Sequence, residues 1–498
     1  MLDHIYLLCA FGFFVLVIWA IGLQWKRRSL YVAAAKMKGP SALPFIGNAM
    51  LFMCKNEKIL MKIYTLIKMY TPGPIRFWLG PLLLIVVTEP KHLEKIMHSS
   101  KFSNKFSGIY RFPKIFLGEG LISGNGPHMK PDRKVILKMF DLNFVAGTMD
   151  VLHKHVELCL NNIEKKVDAG TFDIYPLIHF CLVDYIKEVV LGCSERTQLS
   201  GMLEFDELMS DGYELAFTRM AKPWQHIDFL FNLTPLGRKQ EYIRKILRDK
   251  GQKMMEVAFK KGNLNNCSND FHAVIDSMAQ FSEEHPNFFT EERFVDHILT
   301  LYAAAEDTIS GAAGFFAICM GMYPEYQERA AEEIREIFGD SPRPITAEDC
   351  TKSKFLTMCI KEILRLYPIG PILARECTED FQLDEWIIPK GAAVVIPAFN
   401  IQRDPRFWEK PNSFYPEHFL PEAEAKRPYY AYVPFSVGSR GCVGKIMAKY
   451  VLKVIACYML QRFKFEADGT SETLKIRMDI SVRPINGWQV RVKKRVWK

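Results

Sequence analysis

The chain has 498 residues, of which 49% are apolar and 24% are charged, and its formal net charge is +9. These values exclude a disordered protein and a polytopic membrane protein, and the modest charge excludes nucleic acid as the main partner. The twelve cysteines form no C-x-x-C pair, which excludes a disulfide scaffold and a structural zinc ribbon.

The N-terminus is predicted to be an uncleaved membrane anchor. Ile5 to Trp25 is almost wholly apolar and is long enough to span the hydrocarbon core of a bilayer. Lys26, Arg27 and Arg28 follow directly, and such basic residues stay on the cytosolic side. The alternative is a cleaved signal peptide, but no small-residue cleavage site follows. We therefore expect a single-pass transmembrane anchor at 1–28 and a cytosolic body.

A proline-bearing segment separates the anchor from the body. Pro40 and Pro44 cannot continue a helix, and each one pushes the preceding residue to an extended conformation. We expect a stiff hinge at 29–50, although an ordinary loop would place the start of the body at the same point. The remainder, 51–498, shows no second linker and no repeat, which predicts a single large domain.

Helical periodicity dominates this body. Short β-rich runs occupy 75–88, 380–397 and 473–492, without the βαβ alternation that a parallel α/β sheet requires. The pattern predicts a mainly α fold with small β-sheets. The helices are predicted at 57–70, 131–166, 173–192, 238–260, 291–322, 324–338, 352–367 and 444–461.

The chemistry converges on Cys442, in the run FSVGSRGCVG at 435–444. A thiolate that binds a buried metal needs N–H donors close to its sulfur, and flanking glycines such as Gly444 let the backbone approach. A helix that starts just after the cysteine adds its positive end. Arg440 can pair with a carboxylate, and Phe435 can shield the sulfur from water. The alternative is a glycine-rich turn that carries one buried cysteine.

The spacing F-x-x-G-x-R-x-C-x-G resembles the haem-binding loop of the cytochrome P450 family at every fixed position. The resemblance implies haem b bound through the Cys442 thiolate, which favours O–O cleavage. It implies a monooxygenase that inserts one atom of O2 into a lipophilic substrate. Electrons are expected from an NADPH-dependent reductase, because the chain carries no flavin or NADPH fingerprint. Fatty acid, hormone, hydrocarbon and xenobiotic substrates all remain open.

Glu362 and Arg365 lie three residues apart on one predicted helix face. Such pairs are usually solvated surface salt bridges. In the family that the chain resembles, the pair is buried and locks onto the segment before the haem loop, here 411–419. The third partner there is usually arginine or asparagine, and the run FYPEHF places His418 at that position instead.

The apolar stretch 299–316 carries two acids and a hydroxyl at its centre. Acids in a buried helix are costly unless they are paired or functional. The stretch resembles the family's oxygen-activation helix, which implies that Thr308 hydrogen-bonds oxygen and that Asp307 relays protons. Ala305 replaces a glycine that admits oxygen and water, and Ile309 replaces a second hydroxyl. The alternative is an acid that a neighbouring helix satisfies.

The resemblance also implies partners for the two haem propionates. Arg133 matches the basic position of the family's W-x-x-x-R helix, with Met129 where the tryptophan is expected. Arg375 and Arg440 are the other expected partners, although each of the three could instead be an ordinary surface arginine. One branch carries a glutamate that forms an ester with the haem. Ala304 occupies that position, so we predict no covalent haem link.

The anchor, the hinge and the segment 379–391 resemble the insect-rich family-four branch, which includes fatty-acid ω-hydroxylases. This resemblance implies a microsomal protein of the endoplasmic reticulum membrane with a cytosolic catalytic domain. Lys445, Lys449 and Lys453 follow one helix face and are expected to dock the acidic reductase, unless they form a solvated basic face. A small cytochrome b-type donor is a further expected partner.

Substrate contacts are expected, by the same resemblance, at 101–123, 205–236, 369–374 and 478–484. Their aromatic content suits a lipophilic substrate, although aromatic loops can also simply pack well or touch a membrane. Two other functions stay open, a haem-thiolate isomerase or dehydratase and a non-catalytic haem-binding protein. The aromatic residues concerned are Phe102, Phe106, Phe112, Phe217, Trp224, Phe229 and Phe231.

Overall fold

A computed structural model describes residues 27–497, apart from Glu195, Leu203 and the ranges 263–271 and 340–342. It also describes four isolated positions before residue 27. The predicted anchor therefore lies outside the described residues, except at these four positions. In the part of the chain that is described, no helix combines the length and the apolar character needed to cross a membrane. The four positions are Phe11, Phe14, Gly22 and Trp25.

Helices make up most of the described chain, so the predicted mainly α fold is confirmed. The longest helix, Glu291–Met322, begins where the Thr290 side chain accepts a hydrogen bond from the backbone of Arg293, and it runs through the largest hydrophobic cluster. The helices are α1 (Arg28–Ala35), α2 (Asn56–Tyr70), α3 (Pro90–His98), α4 (Ser107–Leu117), α5 (Met129–Lys138), α6 (Leu142–Gly147), α7 (Met149–Glu164), α8 (Tyr175–Leu191), α9 (Thr197–Ser200), α10 (Glu204–Ala221), α11 (Asp228–Asn232), α12 (Pro235–Gly262), α13 (Val274–Glu284), α14 (Glu291–Met322), α15 (Pro324–Phe338), α16 (Ala347–Lys352), α17 (Lys354–Leu366), α18 (Ala398–Ile401), α19 (Pro421–Lys426) and α20 (Lys445–Arg462).

The strands of the described residues form four small sheets. The largest has the order β1-β2-β7-β4, and the others are β3-β11-β8, β5-β6 and the hairpin β9-β10. All neighbours are antiparallel except β2 and β7, which run parallel. The strands are β1 (Ile75–Leu79), β2 (Leu82–Val86), β3 (Phe172–Asp173), β4 (Leu373–Glu376), β5 (Phe381–Leu383), β6 (Trp386–Ile388), β7 (Ala393–Ile396), β8 (Phe463–Glu466), β9 (Ile476–Met478), β10 (Val482–Pro484) and β11 (Gln489–Lys494).

The segment predicted as a hinge is fixed to the edge of the largest sheet. The carbonyl oxygen of Lys38 accepts a hydrogen bond from the backbone of Arg76 at 2.8 Å, and the Asn48 side chain accepts one from the backbone of Trp78 at 2.8 Å. A Cβ on Gly47 would lie 2.3 Å from the Trp78 carbonyl oxygen, so only glycine fits there. The segment therefore extends the sheet.

The three helices that carry or follow the sequence motifs, α14, α17 and α20, meet in the core. α14 packs against α8, α17 and α20, and α20 packs against α15. Helices packed this closely fix the relative positions of the side chains that they carry. As a result, the middle of α14, the end of α17 and the start of α20 have fixed relative positions.

Some elements differ from the sequence-based prediction. The helix predicted at 131–166 is three helices, α5 to α7, because the Asp141 carboxylate accepts a hydrogen bond from the backbone of Phe144 and starts a new helix. Segments predicted as substrate loops contain α4 and α10. The first turn of α10 is acidic, at Glu204, Asp206 and Glu207, which favours a helix N-terminus.

Candidate active site

Cys442 lies between the 3₁₀ turn Gly438–Arg440 and the N-terminus of α20. Its backbone N–H donates to the carbonyl oxygen of Phe435 at 2.9 Å and so closes the loop. Gly438 has φ +73°, and a Cβ there would lie 2.4 Å from the carbonyl oxygen of Met97, so glycine is required. A Cβ on Gly444 would meet no protein atom within 4 Å, so the space beside that residue is open.

The surroundings of Cys442 act on the pKa of its thiol in opposite directions. Desolvation by the surrounding protein raises the pKa of the thiol, although the residue itself is exposed in the part of the chain that the structure describes. The backbone N–H of Gly444 and the positive charges of Arg133, Lys445 and Lys105 lower the pKa and partly offset that effect. These donors suit a sulfur that binds a cation, because the cation would provide the remaining stabilisation.

Four cations form one cluster with Cys442. Lys105, Arg133, Arg375 and Arg440 lie close enough together that neighbouring positive charges lower the pKa values of Lys105, Arg133 and Arg440. Burial together with Arg375 and Arg133 lowers the pKa of Arg440 to about 10, and burial together with the three arginines lowers that of Lys105 well below its ordinary value. Lys105 was not among the residues predicted from the sequence, because no motif marks it.

This cluster lacks an anionic partner among the described residues. The Arg375 side chain is almost completely buried, yet its Nη2 has no hydrogen-bond partner in that part of the chain. Arg440 donates only to carbonyl oxygens, of Gly124 at 2.8 Å and of Leu121 at 3.3 Å. Buried charges are costly unless they are paired. A group with two carboxylates and a thiolate-binding iron, as haem has, therefore fits the cluster.

Thr308 occupies an open strip at the middle of α14. Its side chain is exposed, and Ala304 and Ala305 beside it are half-buried, although neighbouring positions of the helix are buried. The Thr308 hydroxyl donates to the carbonyl oxygen of Ala304 at 2.7 Å. The helix is continuous here, with Ala305 in place of the glycine expected from the family. Ile309 is buried and offers no second hydroxyl.

Asp307 lies away from this strip and is held by other elements. Its carboxylate accepts hydrogen bonds from the Tyr175 hydroxyl at 3.0 Å and from the Ser481 hydroxyl at 2.7 Å. It also forms an ion pair with Arg483. The structure thus places the expected proton relay next to Thr308 in sequence but binds it to α8 and to the β9-β10 hairpin.

The neighbouring acid, Glu306, contacts two other helices, although one of its carboxylate oxygens has no hydrogen-bond partner among the described residues. Its carboxyl lies 3.2 Å from the Tyr213 hydroxyl of α10 and 3.5 Å from His179 Nδ1 of α8. Burial and then the Asp307 charge raise the pKa of Glu306 well above its ordinary value. Burial lowers the pKa of His179 to about 4, so its imidazole is neutral at physiological pH.

Glu362 and Arg365 form a buried pair at the end of α17. Two parallel hydrogen bonds of 2.7 Å join the guanidinium to the carboxylate, and neither side chain is exposed. Arg365 also donates to the carbonyl oxygens of Gln402, Pro411 and Ser413, at 2.8 to 3.0 Å. The pair thereby holds the segment that leads to the Cys442 loop.

His418 takes the third position of this pair. Its Nδ1 lies 3.2 and 3.3 Å from the two carboxylate oxygens of Glu362. Its Nε2 accepts a hydrogen bond from the backbone of Lys410 at 3.4 Å, so we assign the ring proton to Nδ1. The imidazole therefore donates to Glu362, as an asparagine or arginine would.

The helix α5 carries Arg133 and is anchored to α14. The fully buried Asp132 bonds His297 at 3.0 Å and Arg293 at 2.6 Å, which fixes the orientation of the helix. Met129 is buried where the family has tryptophan, and a thioether offers no N–H donor. Asp132 was not foreseen, because the contact joins two distant segments.

The basic face of α20 is smaller than the sequence predicts. Lys445 and Lys449 are exposed, whereas Lys453 is half-buried and donates to the carbonyl oxygen of Cys350. Burial lowers the pKa of Lys453. Two lysines rather than three are therefore free to meet a partner.

The aromatic residues of the predicted substrate loops divide into two sets. Trp224 and Phe229 are 60% and 74% exposed. Among the buried rings, Phe112 and Phe231 enclose the buried Arg219, whose guanidinium carbon lies 5.4 and 4.0 Å from their centroids. The buried set belongs to the packing of the protein and comprises Phe102, Phe106, Phe112, Phe217 and Phe231.

The mainly helical fold, the cysteine loop and its cation cluster define a haem-thiolate protein. Comparison with known proteins extends this result, since a family model described as cytochrome P450 matches residues 37–492. The chain therefore belongs to the cytochrome P450 family. It is a monooxygenase by family, and haem b bound through a cysteine thiolate is the cofactor of that family.

Individual relatives resemble the chain over nearly its whole length. Cytochrome P450 4V2 of Mus musculus is 28% identical, over 91% of this chain and 89% of that protein. Cytochrome P450 4c3 of Drosophila melanogaster is 29% identical, over 94% and 91%. Probable cytochrome P450 4aa1 of the same organism is 30% identical, over 92% and 90%. These names, insect ones among them, confirm the resemblance to the family-four branch.

Proposed function

We propose that Cys442 is the haem ligand of this chain and that the enzyme hydroxylates a lipophilic substrate. The observation that carries the proposal is the cation cluster beside Cys442, which has no anionic partner among the described residues. Haem bound through a thiolate supplies the activation of O2 that places one oxygen atom in the substrate. Phe435 shields the sulfur from water, and the N–H of Gly444 supports its negative charge.

The surrounding residues orient the cofactor and keep its loop rigid. Arg133, Arg375 and Arg440, together with Lys105, would bind the two propionates, whose negative charges would offset part of the positive charge of the cluster. The pair of Glu362 and Arg365, with His418, holds the preceding segment so that the sulfur keeps its position. Ala304 offers no carboxylate, so the haem stays non-covalent.

Two residues of α14 deliver protons to O2. The Thr308 hydroxyl, exposed on the open strip, donates a hydrogen bond to oxygen and passes a proton to it. Asp307 replaces that proton from solvent. Ala304 and Ala305 leave the strip apolar, which excludes bulk water from the substrate and suits an aliphatic ligand.

Electrons reach the haem from an NADPH-dependent reductase or a small cytochrome b-type donor. Lys445 and Lys449 are exposed on α20, the helix that begins two residues after Cys442, and their charges suit an acidic partner. Substrate and O2 would meet the haem at the strip that contains Thr308.

The enzyme lies at the membrane of the endoplasmic reticulum, with its catalytic body in the cytosol. The apolar run from Ile5 to Trp25 and the basic residues after it support this placement. A second feature is the apolar segment 224–236, which exposes large side chains to the surroundings. The most exposed are Trp224, Ile227, Phe229, Leu230 and Leu233.

The carbon monoxide difference spectrum of the dithionite-reduced protein in membranes tests the haem ligand. We expect a strongly red-shifted Soret band for the native chain, and loss of that band in Cys442→Ser. Cys54→Ser is the control, because Cys54 is exposed and lies far from Cys442 in the sequence. This substitution should leave the band unchanged. A Cys442→Ser protein that keeps the red-shifted band would refute the assignment.

Turnover with purified reductase tests the reaction. A monooxygenase consumes NADPH together with O2 and releases hydroxylated product when a lipophilic substrate is added. A haem-thiolate isomerase or a non-catalytic haem protein would give no oxygenated product that depends on NADPH. Fatty acids, terpenoids and hydrocarbons, supplied in turn, would identify the substrate class.

A further inference from the structure

The β9-β10 hairpin is the only described element that binds Asp307 through two side chains. Ser481 donates to one carboxylate oxygen at 2.7 Å, and Arg483 pairs with the other. Tyr175, at the start of α8, donates to the same oxygen as Arg483, at 3.0 Å. Three donors therefore converge on the acid, and none of them comes from its own helix α14.

The charges around this contact favour the ion pair. The Asp307 charge raises the pKa of Arg483, although burial acts in the opposite direction. Two other acids, Glu306 on the same helix and Asp479 on the hairpin, lie near enough to Asp307 that its charge raises the pKa of each. Arg483 therefore supplies the positive charge in a contact that otherwise gathers acids.

The same hairpin also contacts Ile369, a residue that packs against α14 close to Thr308. The backbone N–H of Val482 donates to the carbonyl oxygen of Ile369 at 3.1 Å. The Ile369 side chain lies 3.4 Å from where a Cβ on Gly311 would be, less than one turn from Thr308 along α14. Ile480, at the tip of the hairpin, is 40% exposed and can meet an apolar ligand. Displacement of the tip would therefore be transmitted to the residues that hold Asp307.

We propose that Ser481 and Arg483 are positioning residues that hold Asp307 away from Thr308 until substrate displaces the β9-β10 hairpin. The inference rests on the proposed function and adds a control to its proton supply. Once released, the Asp307 carboxylate takes up a proton from bulk solvent and gives it to the Thr308 hydroxyl. That hydroxyl passes its own proton to O2 as the reductase supplies electrons, so no charge accumulates on the protein. Without substrate the acid stays bound, and reducing equivalents are not wasted.

The hairpin offers a matched control. Arg477 lies directly opposite Arg483 in the β-ladder but pairs with Asp479, at 3.2 Å, instead of Asp307. Substitution of either arginine by glutamine removes one charge from the same hairpin. Arg483→Lys keeps the charge and should retain part of the contact.

The first measurement is hydrogen exchange of the full-length, haem-loaded chain. We expect Arg483→Gln and Asp307→Asn each to speed exchange of the hairpin amides about tenfold, and the double variant to add little, because both remove one interaction. Arg477→Gln should not speed exchange in this way. Additive effects of the two substitutions at Asp307 and Arg483 would overturn the proposed link.

The second measurement is NADPH consumption with reductase in the absence of substrate. Release of the acid should raise this NADPH consumption about tenfold or more in Arg483→Gln, a small part of the roughly 10²–10⁴-fold that positioned acids and bases contribute. Arg483→Lys should restore most of the control. If Arg483→Gln kept a normal carbon monoxide band and showed unchanged NADPH consumption, this proposal would be overturned while the proposed function would stand. Loss of the band in the native chain would instead refute the proposed function.

Discussion

Glu362 and Arg365 are joined by two hydrogen bonds of 2.7 Å in a place that no solvent reaches. Glu362→Gln removes the negative charge and leaves the guanidinium buried without its counter-ion. We expect the free energy of unfolding to fall by about 3–5 kcal/mol, the usual cost of breaking a buried pair on one side. Chemical denaturation of the haem-loaded protein measures this change.

An exposed pair supplies the control for that substitution. Glu348 and Lys352 lie one turn apart on α16 and both are exposed, so Glu348→Gln should change the stability little. Equal losses in Glu348→Gln and Glu362→Gln would contradict the view that burial makes the Arg365 pair special.

The cation cluster predicts an unusual dependence of stability on pH. Burial and the neighbouring arginines lower the pKa of Lys105 well below its ordinary value of 10.5. The folded haem-free protein thus binds fewer protons than the unfolded chain between the lowered value and 10.5, so its free energy of unfolding should rise with pH in that window. Lys105→Met should remove the rise and stabilise the haem-free protein at neutral pH.

Haem should act on the same dependence. Propionates beside Lys105 favour its charged form, so the rise with pH should shrink when haem is bound. Thermal unfolding of both forms across this pH range provides the comparison. Lys130→Met, at an exposed position of α5, is the control and should keep the slope of the native protein. A slope that survives in Lys105→Met would show that other groups produce it.

Sequence patterns predicted the parts of the fold and site that depend on neighbouring residues. The helices at 291–322 and 324–338 are found with those bounds, because each has a strong period and a clear start. The loop around Cys442 and the pair at Glu362 and Arg365 are complete within ten residues and one turn, respectively. A resemblance to a family is sufficient to place such local groups.

Contacts between distant segments could not be predicted in this way. Asp307 was expected to act with Thr308, but it is held by Arg483, which is 176 positions further along the chain. Lys105 joins the arginine cluster through the packing of the chain and has no motif of its own. Asp141 breaks the helix predicted at 131–166 by capping a new one, which outweighs the periodicity on either side.

The packing around Met129 predicts that the tryptophan found at this position in the family does not fit in this chain. A Cβ on Gly124 would lie 2.7 Å from the Met129 sulfur, so the thioether already packs against that backbone. Met129→Trp adds volume there and should cost about 1–3 kcal/mol by overpacking. Because the Gly124 carbonyl oxygen holds Arg440, we also expect faster haem loss, measured by transfer to apomyoglobin.

Met69→Trp is the control for this substitution. Met69 is 68% exposed, so a larger side chain there should change neither stability nor haem retention. If Met129→Trp instead bound haem more tightly, Gly124 would have to move without disturbing Arg440, and the packing argument would fail.

The apolar segment 224–236 predicts a second contact with the membrane. Trp224 and Phe229 are among its most exposed side chains, and Lys222 and Arg238 flank it. Indole rings and basic residues favour the headgroup region of a bilayer, whereas an apolar surface of this kind is costly in water. In vesicles with brominated lipids, quenching of the full-length protein's tryptophan fluorescence should fall in Trp224→Phe. Trp386→Phe, at a half-buried position of β6, should leave the quenching unchanged, and equal quenching in all three proteins would place this segment in water.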